Sequence, residues 1–224
     1  MKWLATLGAA LLAGGCASFS TMSTARTVGL DATQVWVAPE VVGVTFDTGS
    51  PPDRQSFSIP QLEVGVRRGV TEDFELGAKL WLLGTALEGK FQVVRSETQD
   101  AGVDVAIAPS IGWLGFNAGA GGGNFNVVTG YLSVPIGLNV PGGSQLVLTP
   151  KAIYQRYMAS DSGGSGSAGL LFLGGSVGYA WRLGTMYVLP EISVMQPVVN
   201  PATSDVIKFD GVVFQGGLGF LFGT

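Results

Sequence analysis

Apolar and polar residues alternate with period two along most of this chain. The alternation is clearest at Phe74-Glu-Leu-Gly-Ala-Lys-Leu-Trp-Leu82. Phe74, Leu76, Ala78, Leu80 and Leu82 share one face there, and Glu75, Gly77, Lys79 and Trp81 the other. In the next segment Leu87, Gly89, Phe91 and Val93 oppose Glu88, Lys90 and Gln92. Successive side chains of a strand point to opposite faces, so this pattern predicts strands with one apolar and one polar face. About ten such segments run over residues 33–46, 56–68, 74–82, 85–94, 102–114, 125–140, 145–158, 170–183, 186–198 and 211–222. Each is near or above the ~9–11 residues a tilted strand needs to cross a bilayer.

The connections alternate in length. Gly69–Asp73, Arg95–Ala101, Pro141–Ser144 and Gly184–Thr185 are short. Asp47–Gln55, Gly115–Asn124, Ala159–Gly169 and Val199–Asp210 are longer and rich in Gly, Ser, Pro and Asp, and only Leu83–Gly84 breaks the rule. The pattern resembles that of bacterial outer-membrane barrels, which have short periplasmic turns and longer outer loops. The expected fold is therefore all-β: an antiparallel up-and-down transmembrane β-barrel of about 10 strands over residues 33–224. An even strand count puts both ends of the barrel domain on the periplasmic side.

Most ionisable strand residues fall opposite the apolar face: Glu40, Glu63, Arg67, Glu75, Lys79, Glu88, Lys90, Asp104, Lys151, Arg182 and Glu191. Pattern alone does not say which face is inside. In a soluble, lipocalin-like barrel the apolar face would point inward and hold an apolar ligand. Trp113 and Trp181 lie on the apolar face near opposite ends of the barrel, as an interfacial aromatic girdle requires, and favour apolar-outside. The polar face then forms a lumen charge network of paired groups. Ten strands lie near the size at which side chains fill the interior, so a plugged lumen is expected and not a wide pore.

Composition agrees. Only 12% of residues are charged and 46% are hydrophobic, against about 25% charged in ordinary soluble domains. Beyond residue 15 no apolar run reaches the ~20 residues a spanning helix needs, which leaves a closed barrel as the way to satisfy backbone groups in lipid. The net charge of −4 argues against a nucleic-acid partner.

The first residues differ in kind. Lys2 is followed by an apolar stretch from Trp3 to Leu12, small residues, and Cys16, the one cysteine of the chain. This resembles a bacterial lipoprotein signal peptide, with Ala13 and not leucine three places before the cysteine. The resemblance implies a leader over residues 1–15, a covalent lipid on Cys16 and, because Ala17 follows, sorting to the outer membrane. The implied partners are outer-membrane lipid and the lipoprotein-sorting and barrel-assembly machineries. Residues 16–32 are then expected to be a lipid-anchored periplasmic tether. At the other end, Gly219-Phe-Leu-Phe-Gly-Thr224 resembles the terminal-strand signal of outer-membrane barrels, with two residues after Phe222 where that family usually has none.

Prolines test the strand assignment. Pro39, Pro109, Pro150 and Pro190 all fall in odd segments, the last three about forty residues apart, and Pro60 and Pro135 add to them. Proline cannot donate to a ladder, so these residues are expected at bulges or non-bonded positions.

Candidate chemistry is sparse. The chain has no histidine, which removes His-dependent triads, most transition-metal sites and the usual neutral-pH base. Gly174-Gly-Ser-Val-Gly178 matches G-x-S-x-G but falls mid-strand with no His partner, and reads as barrel wall. Gly119–Gly123 lacks the strand-then-helix context of a phosphate loop. Asp47, Asp53, Asp161, Asp205 and Asp210 show no metal-ligand spacing. No catalytic residue, metal or dissociable cofactor is expected. Three non-enzymatic roles remain: permeability to a small solute or apolar molecule, a structural or surface-interaction role, or a lipid-anchored lipocalin-like carrier.

Overall fold

The computed structural model describes residues 18–47, 54–82, 84–117, 124–161, 164–199 and 211–223. The strands are β1 (Thr33–Asp47), β2 (Arg54–Gly69), β3 (Phe74–Trp81), β4 (Gly84–Val94), β5 (Gly102–Asn117), β6 (Asn124–Ser133), β7 (Ile136–Val140), β8 (Ser144–Asp161), β9 (Gly164–Leu183), β10 (Met186–Val199) and β11 (Val212–Phe222). Each pairs antiparallel with its neighbours, and β1–β11 and β4–β5 pairing closes the sheet. β6 and β7 both lie between β5 and β8, as two halves of one crossing. Eleven strands thus make the ten-staved transmembrane barrel that the alternation predicts.

The apolar face points outward. Leu87, Ile192 and Trp181 are 65%, 60% and 59% exposed, and Leu62, Leu76, Leu80, Ile111 and Val177 continue the belt. Glu40, Glu63, Arg67, Glu75, Lys79, Lys90, Asp104, Lys151 and Glu191 are buried inside. This overturns the lipocalin-like alternative, whose barrel would bury the apolar face and wet the charged one.

The prolines explain the irregularities. β1–β11 pairing skips Ala38 and Pro39, β4–β5 pairing skips Ala108 and Pro109, and β10–β9 pairing skips Leu189 and Pro190. Pro135 sits in the break between β6 and β7, where Val134 faces Pro150 of β8, and the β10–β9 register shifts after Pro197. Each of these rings lies where one ladder is interrupted, whereas Pro60 faces Val41 in an unbroken β1–β2 register, outside the stretch of β2 that pairs with β3. At the break the Val134 N–H donates to Pro150 O at 3.0 Å and the Ala106 N–H to Pro135 O at 3.0 Å.

Residues 18–28 depart from expectation. They are no free tether: the segment enters the barrel at the end bearing the short turns and runs through the lumen to about mid-height. Phe19, Met22 and Ala25 are fully buried. The chain leaves the lumen and joins β1 through Gly29 and Asp31, both at positive φ (88° and 58°). Here Gly29 O lies where a Cβ on Gly69 would stand, so only glycine at 69 allows this approach. The physical reason for docking is room: ten strands enclose more space than this wall's own side chains fill.

Candidate functional site

The lumen has three levels. At the outer end, which bears the long connections, Val42, Val44, Leu114, Val127, Ile153, Leu170, Phe172, Met195 and Val213 form an apolar cluster. Phe19 closes it from below, its ring edge-on to Phe172 at 5.9 Å. Charged residues occupy the middle. Below them Met22 packs with Trp36, Ala38, Ala180, Leu189 and Leu221.

The charges are paired, mostly across neighbouring strands and in one case, Lys151 with Glu191, across β9 from β8 to β10. Glu75 stands opposite Lys90 in the β3–β4 register, and their ion pair is 2.8 Å. Lys79 bridges Glu63 at 3.2 Å and Glu88 at 3.4 Å, and Lys151 meets Glu191 at 3.0 Å. Arg67 lies 3.9 Å from Glu75 and 4.2 Å above the Trp36 ring, whose indole N–H donates to Glu63 at 2.9 Å. Glu40 accepts from the amides of Gln61 at 2.8 Å and Gln215 at 2.5 Å. Pairing and hydrogen bonding of this kind are what make buried charge tolerable.

Three predicted residues stand apart from the mid-lumen cluster. Arg182 lies at the short-turn rim, where it donates to Gln99 Oε1 at 2.5 Å, so the lumen assignment is corrected for it. Its place near the end of β9 puts it beyond the enclosed part of the wall. Glu88 is only partly buried. Asp104 pairs with Arg26 at 3.1 Å, a partner contributed by the inserted segment. Trp113 and Trp181 stand outward near opposite ends of β5 and β9. Cys16 and residues 119–123 lie outside the described residues.

Sequence reading missed the segment's own role. The wall addresses its backbone. The N–H groups of Phe19, Thr21, Met22, Ala25, Thr27 and Val28 donate to Gln215 (2.6 Å), Glu191 (2.9 and 3.0 Å), Gln145 (2.7 Å), Gln92 (2.8 Å) and Glu75 (2.7 Å). The carbonyls of Phe19, Ser20 and Met22 accept from Lys151 (2.6 Å), Lys79 (3.1 Å) and Arg67 (2.8 Å). Lys90 donates to Thr24 O at 3.1 Å and Arg26 O at 3.0 Å. Ser18 and Ser20 donate to Glu63, and Arg67 to the Ser23 hydroxyl. A void of about 40 Å³ remains between the segment and the β3–β6 wall, bordered by Thr21, Lys79, Lys90 and Tyr131. Its size suits a few water molecules. The Thr21 and Tyr131 hydroxyl oxygens have no protein partner.

Among the described residues no group of three or more His, Cys, Asp or Glu side chains could hold a metal ion. Ser176 of the G-x-S-x-G match lies within β9.

No protein-family model matches the chain, and no curated protein sequence does either. Solved structures do match. The outer membrane protease OmpT from Escherichia coli aligns with a TM-score of 0.54 at 7% identity, over 92% of this chain and 100% of that one. The translocator domain of the autotransporter NalP from Neisseria meningitidis gives 0.44 at 13% identity, over 85% and 88%. The attachment invasion locus protein Ail of Yersinia pestis gives 0.40 at 10% identity, over 87% and 100%. The OmpT likeness shows a shared barrel fold, and nothing about activity follows from it.

Proposed function

We propose that this chain is a non-enzymatic, gated permeability protein of the bacterial outer membrane, closed here by its own residues 18–28. One observation carries this reading. The middle of the lumen, below the apolar outer cluster, is filled by a separate segment held mainly through polar contacts to a polar wall. When such a segment leaves, water can solvate the carboxylates, ammonium groups and amides it exposes. An apolar plug would leave an apolar wall, which water solvates poorly. The outward belt of Leu, Ile, Val and Trp supports embedding in a bilayer. The leader supports the address: Cys16 as lipid attachment and Ala17 after it fit sorting to the outer membrane.

The test is conductance in planar bilayers, comparing the full chain with a variant lacking residues 18–28. Faster gel migration without boiling first establishes that both are folded barrels. The full chain without an acyl group at Cys16 is expected to conduct little and the deletion to open in discrete steps. A folded deletion variant that stays silent overturns the gate reading and favours a structural role. Release of the full chain by carbonate overturns embedding itself.

A further inference from the structure

We propose that the lumen is a binding site for a non-helical polypeptide segment, recognised chiefly through its backbone, and that residues 18–28 are its resident occupant. The inference rests on reading that segment as removable. Six backbone N–H groups meet carboxylate or amide oxygens of the wall. Five backbone carbonyls meet lysine or arginine. These contacts come from β2, β3, β4, β8, β10 and β11, so they grip the chain from around the barrel.

Backbone amides are common to every polypeptide, and recognition through them is tolerant of side chains. The wall also reads side chains: Glu63 accepts from Ser18 and Ser20, and Arg67 and Lys90 donate to Ser23. Phe19, Met22 and Ala25, three residues apart, are buried. Met22 occupies a groove floored by Gly217 and Gly219, where a Cβ on either would come within 2.6 and 2.9 Å of its side chain. Arg26 pairs with Asp104. Met22 also holds the left-handed φ of 39°, an unfavourable backbone for methionine. Its N–H bond to Glu191 and carbonyl bond from Arg67 hold it there. The ligand class is thus a non-helical segment that turns at Met22 and bends at residues 25–26, with a medium apolar side chain at 22, small hydroxyl side chains facing Glu63, Arg67 and Lys90, and looser requirements at 21 and 24.

The experiment uses two preparations. The variant lacking 18–28 is titrated with a synthetic peptide of residues 18–28. The same peptide is then offered N-methylated at positions 21 and 22, or with alanine at 21 and 24. The parent peptide is expected to bind, the alanine peptide to bind within a few-fold of it, and N-methylation to weaken binding by at least about tenfold. Absence of binding, or equal losses from alanine and N-methylation, overturns the proposal. The second preparation is the full chain carrying Thr21→Pro or Thr21→Ala, which keeps the test open should the deletion not fold. Proline removes the N–H that Glu191 accepts, whereas alanine removes only a hydroxyl with no protein partner. Hydrogen exchange of residues 18–28 is expected to rise at least about tenfold in Thr21→Pro and to stay near wild type in Thr21→Ala; equal behaviour overturns the proposal. A deletion variant that conducts but binds no peptide removes this inference and leaves the gate. One that binds but does not conduct does the reverse.

Discussion

Lys79 stands between Glu63 and Glu88, and its ammonium also donates to Ser20 O of the inserted segment. Lys79→Met would leave two carboxylates and a carbonyl without their cation. Breaking a buried pair typically costs about 3–5 kcal/mol, and this pair is nearly fully enclosed. The expected result is a clear fall in the urea midpoint of the detergent-solubilised barrel. Adding Glu63→Gln should recover part of it, because the orphaned charge goes too. A single variant that unfolds like wild type would mean that water already screens the site. Sequence showed much of this chemistry. Period two places Glu75, Lys79, Glu88 and Lys90 on one face of a hairpin, and their pairing follows from the register. It did not show Arg26 against Asp104, which depends on where a non-strand segment goes. Nor did it single out Gln92, Gln145 and Gln215, because an uncharged amide on a polar face carries no special mark. They serve as acceptors for a backbone that the pattern did not place.

At the level of elements, the strands were legible because the two faces meet different solvents. That difference also gives a direct test of which solvent lies outside. Ile192 is midway along β10 and faces outward. Ile192→Arg is expected to destabilise the barrel by about 2–4 kcal/mol in lipid, the cost found near a bilayer midplane. The same change on a water-facing surface would be nearly neutral, so refolding equilibria in vesicles decide between the two. The break at Val134 and Pro135 divides one predicted strand, 125–140, into β6 and β7. Proline chemistry made such interruptions predictable but did not say which ladder would open. Residues 18–28 were illegible for a specific reason. Their Ser, Thr and Ala content reads as a linker, they lack period-two alternation, and the wall binds main-chain atoms that every sequence shares.

For the whole molecule, the docked segment constrains the lipid that the leader implies. Two residues of fully extended chain span at most about 7 Å, so a lipid attached two residues before Ser18 would be tied to wherever Ser18 is held. Ser18 is fully buried and bonded to Glu63. Glu63 is six residues (69 − 63) from the short-turn end of β2, roughly 15–20 Å along a tilted strand. A lipid in the periplasmic leaflet and a segment docked in the lumen therefore exclude each other. Acylation at Cys16 with insertion in that leaflet would hold the segment out and the lumen open. Cys16→Ser abolishes acylation and should favour docking: lower conductance, and slower hydrogen exchange over residues 18–28, than in the acylated protein. Mass measurement of the mature amino terminus establishes which form each sample is. Acylated protein with a fully protected segment would overturn this competition. It would also move the lipid to the opposite rim, because Lys79, another Ser18 contact, is only two residues from the outer end of β3 at Trp81 (81 − 79).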